Sequence, residues 1–130
     1  MLREFSVAAS STSGRDILPL PIRRAQHLIE TRFHQPLMLA ELARASCVTP
    51  HYLIKLFRRH LGETPARYIW RFRTERGLQL LRETGLGIAE IAHRTGFQTP
   101  FHFSRLVKER YGASPKTLRT QLWARDERAR

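Results

Sequence analysis

A chain of 130 residues suffices for one domain, or for two small lobes sharing an element, and its 42% hydrophobic content excludes wholesale disorder. Its 23 Lys and Arg, mostly arginine, against 11 Asp and Glu leave a formal net charge of +12, which favours an anionic partner. The single cysteine, Cys47, excludes an internal disulfide, and no apolar run reaches the length of a membrane span. The start, Met1-Leu2-Arg3-Glu4, carries an acid and no apolar stretch of a secretion leader, so the cytoplasm is the expected compartment.

Residues 1–19 are small and polar around Ala8-Ala9-Ser10-Ser11, without periodicity, and read as a flexible segment or linker remnant. Order is expected from about residue 20. Pro21 suits a first helical turn, and Ile22, Ala25, Ile29 and Phe33 recur at helical spacing up to the break before Pro36. A short helix follows from Leu39 to Ala45. Thr49-Pro50 caps the next, whose inward stripe is Leu53, Leu56, Phe57, His60 and Leu61, and Gly62 stops it. Thr64-Pro65 opens a longer helix to Arg82 or Glu83. Ile88 to Thr95 form another short one. Thr99 caps a helix with stripe Phe103, Leu106, Val107 and Tyr111, which Gly112 stops, and Ser114-Pro115 opens a closing helix ending near Trp123. Residues 20–124 are thus one helical unit, and 125–130 read as a charged, fraying tail. No segment alternates like a strand, so the expected class is all-α with about seven helices.

The chain repeats itself. Thr49-Pro50-His51-Tyr52-Leu53, with Leu56-Phe57-Arg58, Gly62 and Thr64-Pro65, returns fifty positions later as Thr99-Pro100-Phe101-His102-Phe103, with Leu106-Val107-Lys108, Gly112 and Ser114-Pro115. Ala40-Glu41-Leu42-Ala43 and Ala89-Glu90-Ile91-Ala92 stand just upstream of the two copies. A short helix, a tight turn and a longer helix with a basic outer face form a helix-turn-helix, whose second helix fits the major groove of DNA. Between the stripe positions lie His51, Tyr52, Ile54, Lys55, Arg58 and Arg59 in the first copy, and Phe101, His102, Ser104, Arg105, Lys108 and Glu109 in the second. Lys55/Arg105 and Arg58/Lys108 put a cation at matching places in both copies. Solubility alone does not require that match. Ile54 and Phe101 are apolar at outward positions, where a thymine methyl would cover them. A linker of about 18 residues spans ~27 Å of rod, close to the ~34 Å between adjacent major-groove faces.

These residues resemble the DNA-binding domain of the AraC/XylS family of bacterial transcription regulators. The match runs from Ile22 to Arg119. It is carried by Ile88-Ala89-Glu90-Ile91-Ala92, Gly96-Phe97, Phe103-Ser104-Arg105, Lys108, Tyr111-Gly112 and Ser114-Pro115, by Leu42-Ala43, Tyr52-Leu53 and Leu56-Phe57-Arg58, and by Arg73, Glu75 and Leu81 in the linker. The resemblance implies two helix-turn-helix lobes joined by a long helix, binding in two successive major-groove segments of a promoter, and contact with RNA polymerase, usually for activation. It places base-reading positions at His51, Ile54 and Lys55, and at Pro100, Phe101, Ser104 and Arg105. Thr49, Tyr52, Arg58, Arg59, Thr99, His102 and Lys108 are expected against the DNA backbone. Three departures stand out: Cys47 where a turn glycine is frequent, Val107 where phenylalanine is usual, and Gly77 where alanine is common. The residues before the first helix are too few for an effector domain. The chain is therefore similar either to small stand-alone regulators of the MarA/SoxS type, binding as a monomer, or to the truncated reader of a larger, dimeric protein.

Other functions fit less well. His27, His34, His51, His60, His93 and His102 follow no metal spacing, and no acid pair or nucleophile set converges, so neither an enzyme nor a metal or cofactor site is expected. A non-specific nucleic-acid binder would use the same charge without reading bases. Trp70 and Arg71, inside the basic run of the linker, are the candidates for a polymerase or partner contact, with core packing the competing role for Trp70.

Overall fold

The computed structural model describes residues 17–129, and these form seven helices. They are α1 Leu20–Arg32, α2 Leu39–Ala45, α3 Pro50–Leu61, α4 Pro65–Glu83, α5 Ile88–Arg94, α6 Pro100–Tyr111 and α7 Pro115–Ala129. No strand is present among the described residues. The boundaries follow local chemistry. The hydroxyls of Thr49, Thr64 and Thr99 accept the backbone N–H of Tyr52, Arg67 and His102 at 3.1–3.2 Å, and the proline after each needs no hydrogen-bond partner at its nitrogen. Ser114 does the same for Thr117. At α2, Glu41 reaches back to the N–H of Met38. Gly62 and Gly112 end α3 and α6 in the left-handed region.

Two cores form, and α4 serves both. The first is built from Ile22, Ala25 and Ile29 of α1, Leu42 and Ala43 of α2, Leu53, Leu56 and Phe57 of α3, and Tyr68 and Ile69 of α4. The second joins Leu81 of α4 to Ile91, Ala92, Phe97, Phe103 and Val107. The repeat is therefore structural: α2–α3 and α5–α6 are equivalent units, and α4 closes the first while opening the second. Its 19 residues make a rod of ~28 Å.

Four expectations need correction. Residues 1–16 of the expected flexible segment lie outside the described residues, but Leu18 already packs on the first core and its carbonyl accepts from Arg23. His60 is exposed, although Leu61 beside it still packs on the first core. Ile54 is half-buried and lines an apolar groove together with Leu39, Leu42 and Ile69, so it is less exposed than its expected outward position. The charged tail is helical: α7 continues to Ala129, tied to α4 by the Trp123 indole donating to the Arg82 carbonyl at 3.0 Å and by an Arg82–Asp126 pair at 3.7 Å.

Candidate nucleic-acid interface

The two units share one turn geometry. After α2, the N–H of Val48 donates to Ala43 O at 3.1 Å; after α5, the N–H of Phe97 donates to Ala92 O at 2.9 Å. The turn needs a left-handed residue, which is Gly96 (φ 91°) in the second unit and Cys47 (φ 60°) in the first. Cys47 therefore takes a conformation that glycine adopts without strain, at some cost to the first turn. Replacement in the other direction is blocked, since a Cβ on Gly96 would stand 2.8 Å from Arg73 Nε and 2.5 Å from Phe33 O.

With the stripe buried, α3 leaves His51, Tyr52, Lys55, Arg58 and Arg59 exposed, and α6 leaves Phe101, Arg105, Lys108 and Glu109. Among the described residues no carboxylate pairs with Lys55, Arg58, Arg59, Arg105 or Lys108. Several acids are paired elsewhere. Glu63 and Glu75 hold Arg71, Glu75 also holds Arg110 at 2.8 Å, Glu90 holds Arg94, and Glu41 holds Arg32. The cations of the two matched faces are thus left un-neutralised, whereas Arg32, Arg71, Arg82, Arg94 and Arg110 each have a carboxylate partner. Phe101 is 82% exposed, the largest exposure among the big apolar side chains described. Ser104 and Pro100 are half-buried beside it. Thr49 and Thr99 use a lone pair in capping, so each hydroxyl hydrogen remains free to donate.

His102, expected to face the DNA backbone, turns against the lobe. Its ring sits 4.5 Å from that of Trp70 and 5.2 Å from that of Phe97. Burial, together with the nearby Arg105 and Arg73, holds its pKa below the ordinary histidine value. Trp70 and Arg71 are also used within the fold. Trp70 packs on Phe97, with the Arg73 guanidinium 4.5 Å over its ring. Arg71 is fixed by its two glutamates, which raise its pKa against the opposing effect of burial. Several other residues that organise this region carried no sequence signal of their role. Arg73 is buried and donates from Nε to Phe33 O and from Nη2 to Gln35 O, both at 2.8 Å. Arg119 bonds Leu81 O and Thr84 O in the same manner. Only the distance in sequence between donor and acceptor, close to 40 residues, hid them.

A family model described as a helix-turn-helix domain matches residues 42–121. The chain belongs to the AraC-type helix-turn-helix family. It is 37% identical over 94 residues to the transcriptional regulator CdhR of Pseudomonas aeruginosa, a match covering 72% of this chain and 28% of that regulator. The chain thus spans less than a third of the length of such curated relatives. Among solved structures it is similar to an AraC-type transcriptional regulator from Chromobacterium violaceum, with TM-score 0.75, 29% identity, and coverage of 78% of this chain and 91% of that one. The C-terminal domain of AraT, a response regulator from Geobacillus stearothermophilus, is likewise similar, with TM-score 0.75, 34% identity, and coverage of 80% and 87%.

Proposed function

We propose that this chain reads DNA by sequence as the promoter-binding part of a transcription regulator, with α3 and α6 entering successive major-groove segments. The observation that supports this is the pair of equivalent helices that present exposed cations at matching positions, Lys55 and Arg105, Arg58 and Lys108, none of them paired with a carboxylate among the described residues. In this reading His51, Lys55, Phe101 and Arg105 touch base edges, with Pro100, Ser104 and Ile54 at their flanks. Arg105 suits the O6/N7 edge of guanine, and Phe101 a thymine methyl. Thr49, Tyr52, Arg58, Arg59, Thr99 and Lys108 bind phosphates and set register; His102 contributes chiefly by packing. Activation through RNA polymerase, binding as a monomer unless an effector domain accompanies the chain, a cytoplasmic site of action, and no catalysis complete the proposal. Several relatives are named as regulators, and Btr of Bacillus subtilis is named as an activator.

Selection from random duplexes with the purified chain is the test. The expected product is a motif of two preferred blocks about one helical turn, ~10 base pairs, apart. Recovery without base preference would leave only the non-specific binder, and a single block would reduce one lobe to a clamp.

A further inference from the structure

Each unit is closed by the same device. Donors from its last helix reach back to the carbonyls that its first helix leaves unpaired at the C-terminus. In the second unit these are Trp123 Nε1 to Arg82 O at 3.0 Å, and Arg119 Nε and Nη2 to Leu81 O and Thr84 O at 3.0 and 3.1 Å. In the first unit Arg73 alone does both, bonding Phe33 O and Gln35 O just beyond α1. Unlike Trp123, Arg73 sits in the middle of a helix that belongs to both lobes. It therefore has neighbours on the other side. Its guanidinium lies over Trp70, whose ring packs on Phe97 and His102 of the second unit. The Gly96 turn approaches so closely that a Cβ there would meet both Arg73 Nε and Phe33 O. The end of α1, the α4 rod and the turn before α6 thus meet at one side chain that is 5% exposed.

We infer that Arg73, which lies away from both reading faces, is a positioning residue that locks the first lobe to the second and so fixes the half-site spacing the protein accepts. The inference rests on the two-lobe DNA reading above, but its first test does not. Two reasons favour a lock over a purely local cap. A buried guanidinium is costly unless its donors are used, and here they are used on backbone that one lobe supplies, against a turn that the other supplies. Arg119 makes the same two-carbonyl fork within its own unit, whereas Arg73 also meets a turn of the other unit.

Spin labels at positions 60 and 109, both exposed on α3 and α6, in a Cys47→Ser background, report the lobe-to-lobe distance in the free protein. The expected result is a single narrow distribution for the native side chain and a clearly broadened one for Arg73→Ala. Arg73→Lys, which keeps the charge but offers poorer two-carbonyl geometry, should be intermediate and carries the test if the alanine variant does not fold. A distribution as narrow as native in a folded Arg73→Lys or Arg73→Ala protein overturns the inference. On duplexes selected by the native chain, with the two blocks moved apart or together by one or two base pairs, the native protein should lose at least tenfold in affinity per step. The variant should lose under threefold, with single-block duplexes bound as by native within twofold. Equal loss on single-block and two-block duplexes would mean that Arg73 supports only local stability. If the native chain selects no two-block site, the DNA reading fails while the distance measurement still decides the role of Arg73.

Discussion

Gly77→Ala sets helix propensity against packing, and the structure says which should win. Alanine in a helix interior is favoured over glycine by up to ~1 kcal/mol. The Cβ of that alanine, however, would lie 2.8 Å from Phe103 Cζ and 3.3 Å from Cδ1, well inside ordinary carbon contact. The ring has nowhere to go, since Phe103 is fully buried and packs on Phe97 at 5.2 Å between centroids. Overpacking of this kind costs ~1–3 kcal/mol. The expected net effect is a loss of about 1 kcal/mol, lowering Tm by ~4–8 °C in a domain of this size, with α6 pushed away from α4. Thermal and urea denaturation of Gly77→Ala, Phe103→Leu and the double variant measure it. The double variant should recover about 1 kcal/mol relative to additivity, because the shorter side chain vacates the space. A Tm raised by Gly77→Ala alone would refute the argument, since the ring would then yield freely and the close approach of α4 and α6 would constrain nothing.

Arg105→Ala should cost ~1–3 kcal/mol of discrimination at one base pair of the selected site and little elsewhere, measured by competition among single-base variants; equal weakening on all sequences would contradict base reading. Ser46→Ala should leave stability unchanged or raise it by about 1 kcal/mol, because the buried hydroxyl lacks a partner whereas the equivalent Thr95 bonds Ile91 O at 2.8 Å; a Tm that drops on removing Ser46 would argue against an orphaned hydroxyl. His102, with its pKa depressed, binds its proton less readily folded than unfolded, so stability is retained above the ordinary histidine value of 6.5 and falls as pH drops through it. Urea titrations between pH 7.5 and 5 should show that decline, flattened in His102→Gln.

Elements whose ends carry local chemistry were legible to within a residue. The Thr-Pro starts and glycine stops of α3 and α6 define themselves, and the two buried stripes at helical spacing identify which face is covered. The misreadings arose where tertiary context decides. Periodicity places His60 inward, yet at the end of α3 it is Leu61 that packs on the first core and His60 that is exposed. Ile54 sits at the shoulder of the stripe, where it lines an apolar groove shared with residues of α2 and α4. The second half of α7 has no apolar stripe to announce it and is held by contacts to α4 some 41 residues away. The reading-face cations could be named from the repeat, but that they lack acidic partners depends on where Glu63 and Glu75 fold, which spacing alone does not reveal.

The two candidate reading faces share a frame but not a charge, and in the proposed reading this divides their labour. Lys55, Arg58 and Arg59 face out from α3, all cationic; the equivalent positions on α6 carry Arg105, Lys108 and the acid Glu109, with Phe101 projecting beside them. Each phosphate neutralised by a cation contributes ~0.9 to the salt slope, whatever the base sequence. The first lobe should therefore supply most of the salt-sensitive attraction. In the proposed reading the second, where Glu109 would repel phosphate, should gain mainly when Phe101 and Arg105 find their bases. Glu109→Arg removes that repulsion and restores the first-lobe pattern. It should steepen the salt slope by ~1, tighten binding to random duplex more than to the selected site, and so narrow the ratio between them. Filter binding across a salt series on both duplexes measures this. An unchanged slope would place Glu109 away from the backbone, and a gain confined to the selected site would show that the acid was never the source of discrimination.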